Sequence, residues 1–366
     1  MEFICSRTTL DNAVGTASRA ITSKTMTPAL QGILLKADGE DGSLTLCCTD
    51  TSMSIITKIE AEVVESGAAI FPGRLFSELV KRLDDEEIRV TLSGNTALLE
   101  TANNSTHLQV LDADEFPTVS FIDDGETLRL PKDKLRELIR NSSFAAAERE
   151  QRAVMNGIYF ETEGDVLNVV ALDGYRLAWL RYSSEDIKNW KAIIPTRTLI
   201  EISRLLGDDD GDVDIEAKDN LIEMRTGDTV LISAIIDGEY MPYRSAVPKN
   251  FTTVITLKKD ELQRSVERAN LMAAVSKDTP IIFDITQNNI NITAISSAGN
   301  IEDRVDISND GENLRIGFNP QYLIDALRVI DDDIIELKLN TPVSPCVIMK
   351  PGSDEYLYMV LPVRIK

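Results

Sequence analysis

The chain of 366 residues is poor in the residues on which most catalytic and metal sites depend. It has one histidine, four cysteines and two tryptophans, and aromatic residues make up only 5% of it. A single histidine excludes most histidine-dependent hydrolases and histidine-rich metal sites. His107 lies in an alternating segment that predicts a strand, so we expect a surface histidine without a chemical role.

The cysteines, at positions 5, 47, 48 and 346, lack the paired spacing of a disulfide framework or a zinc site. The N-terminus has no basic segment followed by an apolar run, and no stretch of about 18 apolar residues occurs in the chain. These absences argue against a secreted disulfide scaffold, a signal peptide and a membrane-spanning helix. We therefore expect a cytoplasmic protein with no membrane partner.

Sequence motifs for catalysis and nucleotide binding are also absent. The chain has no GxGxxG after a strand and no GxxxxGK[ST], GxSxG, CxxC or HExxH. The acidic run DDDGDVD resembles a calcium loop, but Leu206 occupies the place, five residues before Gly211, where the first acidic ligand would stand. The sequence thus predicts no catalytic residues, no metal and no cofactor, and it favours a binding protein over an enzyme.

What the chain does contain is one pattern repeated three times. Three amphipathic segments recur at spacings of 123 or 124 residues, and an acidic turn follows each of them; their matching apolar positions are Phe76, Leu199 and Leu323, then Leu83, Leu206 and Ile330. Alternating segments at 44–48, 167–171 and 290–294 predict strands at the same period. Each repeat predicts two helices and several strands over about 120 residues, which is an α+β fold. The expected domains are 1–122, 123–248 and 249–366.

Positive charge is scarce and unevenly placed. With 38 Lys and Arg against 60 Asp and Glu, the net charge of −22 should repel nucleic acid from most of the surface. Lys and Arg nonetheless outnumber Asp and Glu in the six predicted helical segments, which are 6–21, 73–83, 131–147, 196–206, 258–274 and 320–330. Helix propensity is one explanation of this enrichment, and it is the less favoured of two. The alternative is that the helices share a face that meets a polyanion.

Local motifs resemble those of one known family. They are FETEG at 160–164, DGYRLA at 173–178, DGEY at 237–240 with PYR at 242–244 and PKN at 248–250, IGFN at 316–319, and MVLPVR at 359–364. Together with the three repeats and the length, these motifs resemble the bacterial sliding clamp, the beta subunit of DNA polymerase III. The family often has histidine at Tyr175 and threonine at Leu172.

The resemblance implies a fold, an assembly and a function. In that family each domain packs two helices against sheets, and two protomers join head to tail into a pseudo-sixfold ring around duplex DNA. Each protomer supplies half of the ring. The implied function is that of a DNA polymerase processivity factor, a non-catalytic subunit. Such a subunit slides on DNA without sequence preference and tethers the replicative polymerase, the clamp loader and repair proteins through short hydrophobic peptides.

The resemblance also implies two sets of site residues. The DNA-facing candidates are Lys24, Arg74, Arg149, Arg152 and Arg197. The family's aromatic residues after Arg152 are replaced by Ala153 and Val154, so charge is expected to dominate there.

The implied partner pocket has apolar surface from the C-terminal tail and charge from Arg176 and Arg364 at its rim. Asp278 stands where family members carry phenylalanine or leucine. The pocket maps onto Met155, Leu172, Gly174, Tyr175, Arg176, Leu177, Met241, Pro242, Asn319, Tyr322, Val343, Ser344, Met359, Val360, Leu361, Pro362, Val363 and Arg364.

Two other classes of function remain compatible with the sequence. One is a DNA-modifying or nucleotide-hydrolysing enzyme built on the same repeats, which turnover by the purified protein would reveal. The other is a repeat-built structural protein with no role in nucleic-acid binding, which retention on circular DNA would exclude.

Overall fold

The helices form where the repeated pattern predicts them. The computed structural model describes residues 1–22, 25–148, 152–184, 190–275 and 279–365. Within these residues the α-helices are α1 Arg7–Ala17, α2 Gly73–Arg82, α3 Lys132–Ser143, α4 Thr196–Leu205, α5 Tyr243–Ala246, α6 Lys259–Ala273 and α7 Pro320–Arg328. The one-turn helix α5 has no counterpart among the predicted segments.

Two of the predicted helical segments are too long at their C-terminal ends. Helix α1 gives way to the 3-10 turn Ser18–Ala20, and α3 ends at Ser143 although apolar residues continue beyond it. The amide of Ala145 donates to the carbonyl of Ser142 at 3.0 Å, which tightens the chain into a turn. Apolar periodicity alone does not show where such a turn begins.

The matching positions of the repeats are buried in the structure. Phe76, Leu199 and Leu323 are at most 1% exposed. Each lies on the apolar stripe of an amphipathic helix whose other face is polar. The residues that end the same segments, Leu83, Leu206 and Ile330, are also buried. The 123- and 124-residue spacing therefore marks structurally equivalent core positions.

The chain divides into two compact units, of which unit 1 comprises Met1–Asp133 and Arg197–Ile235. It contains two antiparallel sheets. The five-stranded sheet has the order Glu62–Glu65, Glu2–Ser6, Glu87–Ser93, Thr96–Glu100 and Ser105–Gln109. The nine-stranded sheet has the order Leu111–Asp112, Gly67–Pro72, Gly32–Asp38, Ser43–Thr49, Met53–Glu60, Thr229–Ala234, Leu221–Thr226, Asp212–Lys218 and Glu126–Pro131.

Unit 2 comprises Lys134–Thr196 and Ile236–Lys366 and also contains two antiparallel sheets. Strands of the central repeat therefore lie in both units. The nine-stranded sheet has the order Lys191–Pro195, Gly157–Glu163, Val166–Leu172, Arg176–Ser183, Tyr356–Val360, Cys346–Met349, Ile334–Leu339, Thr253–Lys258 and Ser308–Gly311. The four-stranded sheet has the order Gly299–Asp306, Asn289–Ser296, Ile281–Ile285 and Leu314–Phe318.

The residues with reactive side chains are structural. Cys5, Cys47, Cys48 and Cys346 are free and buried, and burial raises the pKa of the Cys5, Cys47 and Cys346 thiols to about 12. These thiols are therefore protonated and unreactive. His107 is exposed on the strand Ser105–Gln109, which confirms the prediction of a surface histidine.

Neither a metal centre nor a membrane span is found in the part of the chain that the structure describes. None of its His, Cys, Asp and Glu side chains gather in a group of three or more that could hold a metal ion. None of its helices is long and apolar enough to cross a membrane.

Candidate functional site

The turn at residues 172–177 in unit 2 presents the first part of the predicted partner pocket. It joins the strands Val166–Leu172 and Arg176–Ser183. The Asp173 Oδ1 atom accepts hydrogen bonds from the amides of Tyr175 and Arg176, at 2.9 and 3.0 Å. These bonds close the turn and leave Tyr175 59% exposed at its tip.

Glycine fits the backbone of this turn without strain. Gly174 has a φ of +88°, a conformation that side chains with a Cβ adopt at a cost. A Cβ at this position would lie 3.7 Å from the Met155 Cε atom, so Gly174 packs beside another predicted pocket residue.

Arg176 ties the turn to helix α7. Its Nε atom donates to Asp173 at 2.9 Å, and its Nη1 atom pairs with Asp325. Its guanidinium also lies 4.8 Å from the ring centre of Tyr322 and 5.6 Å from that of Phe144. The side chain is 14% exposed. Its Nε and Nη1 atoms are thus engaged within the protein, and the charge that Arg176 is expected to supply at the rim stays a prediction.

The C-terminal segment runs along the same turn. Met359 and Val360 belong to the strand Tyr356–Val360, which pairs with the strand Arg176–Ser183, and they are 6% and 1% exposed. The C-terminal tail, which is expected to supply apolar surface from Met359 onward, thus leaves the sheet two residues later, at Leu361. The Leu361 amide donates to the carbonyl of Tyr175 at 2.8 Å, and Val363 donates to Gly317 at 2.8 Å. The tail is fixed at two points.

An apolar cluster lies beneath the turn. Met155, Leu172, Leu177 and Met359 are buried in it, and Met241 packs against it. Pro242 is exposed and precedes helix α5. The structure therefore brings these predicted pocket residues together in one cluster or at its margin.

A cleft of about 480 Å³ opens beside Tyr175. Four predicted residues line it, namely Tyr175, Asn319, Tyr322 and Val363. The Tyr175 and Tyr322 rings stack with their centres 6.1 Å apart. Sequence reasoning missed the remaining lining residues, which are Asn270, Ala273, Ala274, Thr279, Pro280 and Pro320.

The missed residues carry a weak sequence signal. Ala273 and Ala274 are small residues at the end of helix α6, and such residues leave room for a cleft. Small residues are common at helix ends, so the signal does not single them out.

Three further predicted residues belong neither to the apolar cluster nor to the lining of the cleft. Val343 is 70% exposed, and Ser344 lies in a turn where its hydroxyl bonds that of Thr341 at 2.7 Å. Arg364 is exposed in the tail after Pro362. Asp278 lies outside the described residues.

The DNA-facing candidates that the structure describes are divided between the two units. In unit 1, Arg74 is exposed in the first turn of α2, and Arg197, 59% exposed in α4, pairs with Asp50 at 2.6 Å. In unit 2, the Arg152 Nη1 atom lies 3.5 Å from the Met241 sulfur, so Arg152 stands beside the partner cluster. Lys24 and Arg149 lie outside the described residues.

Comparisons with known proteins agree along the whole chain. Family models for the N-terminal, central and C-terminal domains of the DNA polymerase III beta subunit match residues 1–120, 129–242 and 244–364. The chain is 28% identical to the beta sliding clamps of Halalkalibacterium halodurans and Haemophilus influenzae, with complete coverage of both chains in each case.

Solved structures of clamps have the same fold. The sliding clamp of Bacillus subtilis matches with a TM-score of 0.96 at 26% identity, over all of both chains. A sliding clamp of Pseudomonas aeruginosa bound to griselimycin matches with a TM-score of 0.94 at 26% identity, also over all of both chains. These matches confirm the α+β fold predicted from the repeats. The chain belongs to the DNA polymerase III beta subunit family, the bacterial beta sliding clamps.

Proposed function

We propose that two copies of this chain close head to tail into a ring around duplex DNA in the cytoplasm. The family is that of a non-catalytic processivity factor. We assign one clamp domain to each of 1–122, 123–248 and 249–366. The observation that carries the proposal is that one sheet in each unit ends in a strand with a free edge.

The proposed ring interface uses two free strand edges. Ser105–Gln109 ends the five-stranded sheet of unit 1, and Gly299–Asp306 ends the four-stranded sheet of unit 2. Unpaired edges invite pairing with another chain. Pairing these two edges between two copies removes both of them, and done twice it closes the ring.

Apolar groups flank both edges. In unit 1 a groove of about 530 Å³ is lined by Leu111 and by Leu75, which is 57% exposed. In unit 2, Leu271 and Ile295 are 74% and 69% exposed. Burying such side chains against a partner removes them from water, which stabilises the dimer. Arg74 lines the same groove, so loss of the dimer on Arg74→Ala would assign Arg74 to the interface rather than to DNA.

DNA is held by topology and by weak charge attraction. The candidates Lys24, Arg74, Arg149, Arg152 and Arg197 contact phosphates without reading sequence. Because the chain has a net charge of −22, attraction to DNA is confined to the surface around these basic residues, and it weakens as salt rises.

The cleft at Tyr175 and the apolar cluster bind short hydrophobic peptides of the replicative polymerase, the clamp loader and repair proteins. A groove of this kind takes an extended segment with one or two apolar anchors. The griselimycin-bound relative from Pseudomonas aeruginosa supports ligand binding by this fold.

Retention on circular DNA tests the function. The protein, loaded onto a nicked plasmid, should stay bound through gel filtration in high salt and be released when the plasmid is cut once. A dimer mass of about twice 40.5 kDa should be measured by sedimentation. Release from intact circles, or equal retention on linear DNA, would contradict encirclement.

The tail gives the matching test of partner binding. Deleting residues 362–366 should abolish binding of polymerase-derived peptides and leave the dimer intact, because the strand Tyr356–Val360 is preserved. Full peptide affinity in a folded truncation would remove the tail from the site.

A further inference from the structure

A second cleft in unit 2 shares no residue with the predicted partner pocket. It has a volume of about 490 Å³ and lies between helix α3, the end of the strand Arg176–Ser183 and the segments at 329–332 and 354–358. We call it the tyrosine cleft. Its lining residues are Lys134, Glu137, Leu138, Asn141, Leu180, Arg181, Tyr182, Ser183, Val329, Ile330, Asp331, Asp332, Asp354, Glu355, Tyr356 and Tyr358.

Two buried polar atoms of this lining have no hydrogen-bond partner in the protein. They are the hydroxyl of Tyr358, whose residue is 1% exposed, and the Nε atom of Arg181. Buried polar groups in folded proteins are almost always hydrogen-bonded. The charged groups acting on the Tyr358 hydroxyl include Glu137 and Asp331, which line the same cleft. Both atoms can donate a hydrogen bond, so the cleft suits a ligand with an acceptor such as a carbonyl oxygen.

The rim of the cleft suits a cation. Five carboxylates line it against two basic groups. Arg140 and Lys350, from outside the lining, pair with Asp331 at 2.6 Å and with Asp332 at 2.9 Å, but Asp331 is 79% exposed. Asp332 is only 27% exposed and also accepts from the Tyr356 hydroxyl at 3.1 Å. An exposed pair such as that of Asp331 contributes little and leaves carboxylate lone pairs free for a further donor.

The remaining rim carboxylates are paired in a similar way. Asp354 pairs with Arg181 and is 76% exposed, and Glu355 lies 3.8 Å from Lys350 and is 70% exposed. Glu137 pairs with Lys134 at 2.9 Å. None of these pairs closes the cleft to a competing cation.

The wall of the cleft is aromatic. The rings of Tyr356 and Tyr358 stack with their centres 5.2 Å apart. The chain's own Lys134 ammonium lies 5.2 Å from the ring centre of Tyr182, so the wall already accommodates an alkyl ammonium group over a tyrosine face.

We propose that the tyrosine cleft binds a lysine-containing segment of a partner polypeptide. A main-chain carbonyl of the bound segment accepts hydrogen bonds from the Arg181 Nε–H and the Tyr358 hydroxyl. The lysine ammonium meets the rim carboxylates beside the tyrosine rings. A free polyamine offers the ammonium but no acceptor, so it meets only half of these requirements.

Binding of short peptides to the full-length protein tests the proposal. The first probe is acetyl-Gly-Lys-Gly-Lys-Gly-amide, the second is the same peptide with both lysines acetylated, and the third is spermidine. Calorimetry should show weak binding of the first peptide and none of the second. Hydrogen exchange should show protection at residues 134–141, 180–183 and 354–358.

Three variants make the result specific. Tyr358→Phe removes the hydroxyl alone and should weaken peptide binding about fivefold, the effect of one hydrogen bond. Asp331→Asn combined with Glu355→Gln should weaken it further. Asp310→Asn, an exposed carboxylate on another strand, should bind as the wild type does.

Four outcomes would overturn the proposal. These are absence of binding, protection elsewhere on the chain, equal weakening in Asp310→Asn, and spermidine binding as tightly as the lysine peptide. The last would assign the cleft to a free polyamine. Thermal melts check that each variant is folded.

Discussion

The turn at residues 49–54 in unit 1 and the turn at 172–177 in unit 2 have the same backbone and different chemistry. In each, an aspartate side chain accepts hydrogen bonds from the amides two and three residues later; the aspartates are Asp50 and Asp173. In each, the following strand pairs antiparallel with a strand from much later in the chain. The repeat therefore builds the same turn and strand pairing once in each unit. We call this arrangement the frame, and the frame in unit 2 carries the proposed partner site.

The side chains on the two frames differ. The unit 1 turn and its paired strand carry hydroxyls where the unit 2 turn carries aromatic and aliphatic groups: Ser52, Ser54 and Ser233 stand in the places of Tyr175, Leu177 and Val360. A cavity of about 240 Å³ beside the unit 1 turn is lined by such hydroxyls together with apolar residues that include Leu221 and Ile232.

These hydroxyls bond one another. The Ser54 hydroxyl donates to Thr49 at 2.8 Å, and Thr198 and Ser233 share a bond of 2.8 Å. They present no apolar anchor site, because their hydrogen-bonding capacity is used internally and their side chains are short. The shared frame thus carries apolar groups in unit 2 and hydroxyls in unit 1, so we place the proposed peptide site in unit 2 only.

Exchanging the turns should have the largest effect. The unit 2 exchange combines Gly174→Thr, Tyr175→Ser, Arg176→Met and Leu177→Ser. It removes two anchor contacts, each worth about 2 kcal/mol, so affinity for polymerase-derived peptides should fall about 1000-fold. Fluorescence polarisation measures the loss.

The reciprocal exchange in unit 1 is the control. It combines Thr51→Gly, Ser52→Tyr, Met53→Arg and Ser54→Leu and should leave peptide affinity unchanged. If the unit 1 exchange abolished binding while the unit 2 exchange did not, the site would be on the other frame.

The arginines that pair with the two aspartates should differ in their effect on stability. Arg176 is 14% exposed, and its loss would leave Asp173 and Asp325 without their ion-pair partner, at a cost of about 3 kcal/mol in Arg176→Ala. Arg197 is 59% exposed, and its partner Asp50, although only 6% exposed, keeps hydrogen bonds from the Ser52 hydroxyl and the Ser52 and Met53 amides, so Arg197→Ala should cost less than about 1 kcal/mol. Urea titrations measure both, and equal losses would show that burial does not separate the two pairs.

How much of this could be read from the sequence differs between fold and site. The 123- and 124-residue spacing gave the helices and the equivalent core positions Phe76, Leu199 and Leu323, because apolar periodicity reflects burial directly. The role of Arg176 could not be read. Its partner Asp325 lies 149 residues away, and only the folded chain brings them together.

The positions within the tail show the same limit. The resemblance assigns Met359 to Arg364 together to the partner pocket, and the structure divides them between a buried strand and a fixed tail. An apolar run at a chain end has the same composition in either case, so pairing with a distant strand decides it.

Asp50 should make the stability of unit 1 depend on pH. Burial alone would raise the pKa of Asp50, but hydrogen bonds from the Ser52 hydroxyl, the Met53 amide and Arg197 outweigh it, and the pKa is lowered. A lowered pKa stabilises the fold above the unfolded value of about 3.9, and this contribution is lost as pH falls through the folded pKa.

Asp50→Asn should therefore cost about 1 kcal/mol at pH 7, and the gap to the wild type should close below about pH 4. Urea titrations across this range measure the gap. Glu62→Gln, an exposed carboxylate on another strand, controls for the loss of one charge. A gap that stays constant with pH would mean that the carboxylate charge contributes nothing.

The smallest effect concerns the residue after each aspartate, which has a positive φ in both turns. Thr51 has a φ of +74° and Gly174 one of +88°. The left-handed region is strained for a β-branched residue, so Thr51→Gly should relieve strain. Because glycine also gains entropy in the unfolded chain, the net stabilisation should stay below about 1 kcal/mol.

Gly174→Ala should destabilise by about 1 kcal/mol through strain alone, since its Cβ would meet Met155 at an ordinary 3.7 Å. Opposite signs in urea titrations would show that one backbone conformation serves both turns. Destabilisation by both substitutions would mean that the Thr51 side chain contributes more than its strained backbone costs.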